Sequence, residues 1–220
     1  GVAKETATDV LRDALAELRR SVDEEPTSIR HHLFYLSVAN RARVAIADAP
    51  RDAARLLEGA IALSPTRPQV YFELGQADLL DGNITQGLAR YRQGLALSFS
   101  VLESHVDVAT AYVLAGRPDE ALNEFRVIQE ELKRTVPQDQ YVRVIRAAER
   151  TGQWPVVIRL YDDLLALYPP TADHYAKLAA AHARAGDTAK ARQAAERALK
   201  LDPGIQADFD QFIKTLDDQP

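Results

Sequence analysis

The sequence predicts an all-α fold of stacked antiparallel helix pairs, and three observations carry that expectation. Four glycines, Gly82, Gly116, Gly152 and Gly186, recur at intervals of 34, 36 and 34 residues. Each closes one stretch of helical periodicity and a second begins within a few residues, as happens when glycine stands just past a helix C-terminus. Before each glycine lies an apolar set spaced as one face of a helix, largely at i, i+3, i+4 and i+7. A hairpin recurring at this period buries too little alone, so neighbours must stack and share one core.

Composition narrows the class. Hydrophobic residues make up 46% and charged residues 27% of the 220, the balance of a folded chain and not of a disordered one. Net charge is -5, from 27 basic and 32 acidic side chains, which argues against a general nucleic-acid binder. No run approaches the ~18 to 20 apolar residues of a membrane span. The chain has no cysteine, so disulfides, thiolate metal sites and cysteine nucleophiles are excluded. It also has no methionine and starts at Gly1, which leads us to expect a piece of a longer protein.

Taken in order, residues 1–27 hold a half-repeat helix, read from Ala14, Leu18 and Ser21 and ended before Pro26. Its apolar residues Val10, Leu11, Leu15 and Leu18 have no preceding helix to cover them. The expectation is a homodimer through that face, or fraying of residues 1–25. Residues 28–67 form an irregular repeat. Its long first helix, about 28–47, is read with Tyr35, Val38, Ala39 and Ala42 inward, and its second with Ala53, Leu57 and Ala60 before Pro65.

Residues 68–101 carry Tyr71, Leu74 and Gly75 on the first helix and Gly87, Tyr91 and Gly94 on the second. Gly87 and Gly94 each lose roughly 1 kcal/mol of helix propensity relative to alanine, so close backbone packing is expected there. Residues 102–137 repeat the pattern with His105, Val108, Ala109 and Tyr112, then Ala121, Phe125 and Ile128, and end in an extra KRTVP. Residues 138–171 use Tyr141, Val144, Ile145 and Ala148, then Val157, Tyr161 and Leu164. Residues 172–205 use Tyr175, Leu178, Ala179 and His182, then Ala191, Ala195 and Ala198 before Pro203. In 206–220, Phe209, Phe212, Ile213 and Leu216 mark a capping helix and tail with one apolar face.

These sets closely resemble the tetratricopeptide repeat, with its W-x2-L-G-x2-Y face, its A-x3-F-x2-A face and its closing proline. The resemblance covers well over half the chain and is carried by recurrence. It implies a right-handed superhelical solenoid with the first helices lining the concave face and a C-terminal capping helix. The chain departs from the pattern at Asp78, where a large residue is usual, at Phe99 in place of proline, and at the two residues added within 133–137. A further stretch, LSPTRPQVYFELGQ at 63–76, resembles repeat tails of bacterial O-antigen ligase or polymerase-like membrane proteins. That resemblance implies a soluble appendage of a glycan-assembly enzyme, with catalysis elsewhere in the parent.

No phosphate-cradling, nucleophile-elbow, dinucleotide or HExxH motif is present, and we expect no catalysis, no cofactor and no metal. His105 and His182 sit at core positions of the repeat. His31 and His32 are adjacent on a helix and point apart, and His174 has no evident partner. Trp154 follows Gly152 and is expected to pack the hairpin closed. The repeat resemblance instead implies binding of a peptide, helix or subunit along the first helices. Carried over position by position, the candidates are Glu73 and Gln76, then Glu103, Asp107 and Thr110, then Arg143, Arg146 and Arg150, and last Lys177 and Arg184. The groove is acidic near Glu73, Glu103 and Asp107 and basic near Arg143, Arg146, Arg150, Lys177 and Arg184. Arg143, Arg146 and Arg150 are spaced as a stripe suited to an acidic partner, since guanidinium forks match carboxylates and phosphates.

Overall fold

The computed structural model describes residues 6–217, and these contain helices and no strand. They fall into two compact units divided between Ala115 and Gly116. The first holds α1 (Ala7–Glu24), α2 (Ile29–Ala42), α3 (Ala49–Gly59), α4 (Pro68–Leu80), α5 (Ile84–Leu97) and α6 (Leu102–Leu114). The second holds α7 (Pro118–Arg126), α8 (Gln138–Arg150), α9 (Trp154–Leu167), α10 (Ala172–Arg184), α11 (Thr188–Leu201) and α12 (Gln206–Asp217).

The recurring glycines end their helices as expected. All four adopt the left-handed backbone, with φ between 69° and 85°. At three of them the amide after the glycine reaches back five residues: Asn83 to the Asp78 carbonyl (2.8 Å), Gln153 to Ala148 (2.9 Å) and Asp187 to His182 (2.9 Å). Those bonds satisfy carbonyls the helix leaves open, and only glycine takes that backbone without strain. In the first unit α4 packs on α5 and also against α2 and α6, so first helices lie beside first helices. In the second, α8 pairs with α9, α9 touches α10, α10 pairs with α11, and α12 closes on α11. Both cores are apolar: Leu36, Leu57 and Val70 in one, and Phe125, Tyr141, Leu160 and Leu164 in the other, are 0–2% exposed. Each such side chain contributes about 1.5–3 kcal/mol of transfer free energy.

Two expected faces hold in part. On α1 the buried residues are Leu15 and Val22, with Leu11 and Leu18 packed beside them, while Ala14 is exposed. The helix starts under a capping box in which the Thr6 hydroxyl accepts from the Asp9 amide. Residues 1–5 of the segment expected to fray lie outside the described residues. On α2 the buried set is His32, Tyr35, Leu36, Ala39, Asn40 and Ala42, which includes Tyr35, Ala39 and Ala42 as expected, while Val38 is only half-buried. Positions 35, 39, 40 and 42 match in spacing the buried 70, 74, 75 and 77 of α4. Asn40 therefore takes the place that Gly75 takes in the next repeat.

The two extra residues near 133–137 are absorbed by a change of helix type. After α7 the chain continues as a π-helical turn, Val127–Glu131, closed by the Leu132 amide on the Val127 carbonyl at 3.0 Å. Lys133 then takes a left-handed backbone (φ 53°), which directs the Arg134 amide back onto the Ile128 carbonyl. Such one-turn bulges accommodate an insertion without breaking the helix. Val136 is buried behind it, and its carbonyl accepts from the Tyr168 hydroxyl at 2.7 Å.

Candidate binding surfaces of the first helices

In the first unit two acidic candidates, Glu73 on α4 and Asp107 on α6, come close together. The Glu73 carboxylate accepts from the Asn40 amide at 3.0 Å, and the same amide nitrogen donates to the Glu73 carbonyl at 3.1 Å. Burial pushes the Glu73 carboxyl above the usual carboxylate range; hydrogen bonds from Asn40 and Ser37 and the charge of Arg41 oppose this, and Asp107 adds to it. Glu73 and Asp107 are thus brought within electrostatic reach, beside Ser37, Asn40 and Arg41. Sequence reasoning missed those three because they stand on the helix whose register it did not fix. Gln76 is half-buried and Glu103 is exposed at the start of α6. Thr110 spends its hydroxyl on its own helix, donating to the Val106 carbonyl at 2.8 Å.

In the second unit the basic candidates divide into two kinds. Arg143, Arg146 and Arg150 are exposed on α8 and share one open depression of about 980 Å3 with Asp139, Val142 and Glu149. Arg143 has a partner within the chain. Among the described residues Arg146 and Arg150 make no ion pair. Lys177 on α10 is matched by Asp173, one turn away at 2.7 Å. Arg184 lies over the ring of Trp154 at 5.7 Å. An exposed pair like Lys177–Asp173 contributes about 0–1 kcal/mol, and an exposed cation over an aromatic face about 0.5–1.

The histidines serve the fold. His105 is fully buried, with its Nε2 2.7 Å from the Phe99 carbonyl and its ring edge-on to Phe99 at 5.0 Å. Phe99, standing where proline was expected, therefore anchors the junction into α6. His31 and His32 diverge, their Nδ1 atoms lying against the Ser21 and Ser28 carbonyls at 3.1 and 3.0 Å. His174 has a partner the sequence did not reveal, Gln138 on α8 at 2.9 Å. Trp154 opens α9, half-buried, and its ring stacks under Arg184. Among the described residues no cluster of three or more histidine or carboxylate side chains forms a metal-holding group.

Comparison with known proteins places this geometry. Residues 175–205 match the family model of the tetratricopeptide repeat. The chain is similar in fold to PilW, described as a widely conserved type IV pilus biogenesis factor, at 15% identity and a TM-score of 0.58 over 94% of this chain and 90% of that one. It is similar to MamA at 15% identity and a TM-score of 0.51, covering 80% and 94%. It is also similar to YrrB, described as a TPR protein with an unusual peptide-binding site, at 12% identity and a TM-score of 0.50, covering 90% and 97%. No curated protein matches the sequence.

Proposed function

We propose that this chain, a tetratricopeptide-repeat fold, is a non-catalytic interaction module whose first helices hold a peptide, helix or subunit, and that it is part of a larger protein. The observation that carries the reading is on α8. Arg146 and Arg150 stand exposed in one open depression, are four residues apart on one helix face, and make no ion pair among the described residues. A guanidinium left unpaired beside another costs favourable Coulomb energy that an acidic partner restores. YrrB, similar in fold, is described as having a peptide-binding site, which makes a peptide ligand the natural first test.

Acidic side chains therefore meet α8, and the surface around Glu73, Glu103 and Asp107 takes a segment bearing amides or cations. Among the described residues no helix is long and apolar enough to cross a membrane. Titration of a glutamate-rich decapeptide by calorimetry tests the α8 assignment. Binding that weakens as salt rises, and falls at least about tenfold in Arg146→Glu/Arg150→Glu, is the expected result. Equal binding by that variant would overturn it.

A further inference from the structure

Side chains of α9, α10 and α11 line a separate pocket of about 210 Å3. We propose that it binds a small zwitterion of the α-amino-acid class, with the ligand ammonium on Asp162 and its carboxylate on Lys190 and Arg197.

The walls carry opposite charges. Asp162 stands on α9, whereas Lys190, Gln193 and Arg197 stand on α11, and all four are exposed at the rim. Among the described residues Asp162 and Arg197 form no ion pair. Lys190 is 3.1 Å from Asp187, the residue that caps α11, and its remaining ammonium protons have no such partner. Arg197 lies over the Tyr175 ring at 5.7 Å. A cation over a ring face keeps its N–H donors, which a carboxylate can accept from.

The floor is made of buried Leu178 and Ala194 together with the His182 ring. His182 is 7% exposed, and its Nδ1 has no hydrogen-bond partner. A buried polar atom left unbonded costs about 1–3 kcal/mol, and the His182 ring places that cost against the charged pocket. Size limits the occupant further. The volume equals the liquid share of about seven waters, and it falls short of the roughly 300 Å3 at which drug-sized sites begin. A simple anion would meet Asp162, and a simple cation would meet Lys190 and Arg197. A ligand carrying both charges satisfies both walls, and an aliphatic side chain would lie on Leu178 and Ala194.

The test is an NMR titration of the whole chain with L-leucine, L-glutamine and L-glutamate, following the His182 ring resonances assigned by their loss in His182→Gln. Acetate and methylammonium serve as single-charge controls. The proposal expects a saturable His182 shift with at least one amino acid, at least about tenfold tighter than either control. It expects Asp162→Asn and Arg197→Gln each to weaken binding about tenfold with unchanged thermal melting. It is overturned by no saturable shift with any of the three up to about 50 mM, or by acetate binding as tightly as the amino acids. Binding unaltered in Asp162→Asn also overturns it, and because Asp162 is exposed that variant does not depend on repacking the core.

Discussion

Gly75 and Gly87 face each other where α4 crosses α5, so closely that a Cβ on Gly87 would lie 2.9 Å from the Gly75 carbonyl oxygen, and one on Gly75 3.0 Å from that of Gly87. Neither oxygen can step aside without moving a helix. Gly87→Ala is therefore expected to destabilise by about 1–3 kcal/mol, although alanine favours helix by roughly 1 kcal/mol. Gly59, with nothing within 4 Å, is the control, and Gly59→Ala should be neutral or stabilising. Urea unfolding of the two variants checks the contrast; equal effects would remove the packing explanation.

The carboxylate of Asp78, standing where the repeat usually puts a large residue, is held 2.8 Å from Arg90, which also reaches Glu58. Both partners are largely buried, at 15% and 13% side-chain exposure. Asp78→Ala leaves Arg90 with half its partners and should cost about 2 kcal/mol, whereas Asp78→Leu with Arg90→Met should come close to neutral, since burial offsets most of what such a pair contributes. A double-mutant cycle measures this. Burial does outweigh Arg90 for Asp78, whose carboxyl is pushed above its usual range.

Glu73 sets a pH dependence of known sign. Its folded pKa lies above the ordinary value of 4.5, with burial the largest cause. The stability it contributes is complete below pH 4.5 and is lost as pH rises through the folded value. Glu73→Gln, which keeps an acceptor for Asn40, should therefore melt higher than the parent at pH 7 and equally at pH 4. A parent that melts higher at pH 7 would contradict this.

His182 acts in the other direction. Burial lowers its pKa below 6.5, against the pull of Asp187 and Asp162 and with Lys190 adding to the lowering. Its contribution is complete above pH 6.5 and is lost as pH falls toward the folded value. Melting temperatures between pH 7.5 and 5.5 should fall less in His182→Gln than in the parent.

The repeat architecture was legible because glycine spacing is a covalent fact: Gly82, Gly116, Gly152 and Gly186 all take the backbone that only their position requires. The faces of α1 and α2 were not legible to the residue, since no glycine of the series precedes them and the α2–α3 connection is longer than its counterparts. The open register there concealed Asn40, whose contact with Glu73 spans 33 positions. The candidate surfaces were readable as residue types and not as states. The Lys177 pairing with Asp173 lies within one helical turn of sequence, whereas the contact of Arg184 with Trp154 joins positions thirty residues apart. His174 and Gln138 meet only because two first helices stack.

The most direct test of the interaction reading is affinity capture from a lysate of the source organism with the parent chain and with Arg146→Glu/Arg150→Glu, after melting shows both folded to the same extent. The account expects at least one protein retained by the parent in low salt and lost from the variant, with an acidic segment at its site of contact. The same proteins on both, or none on the parent, would contradict it.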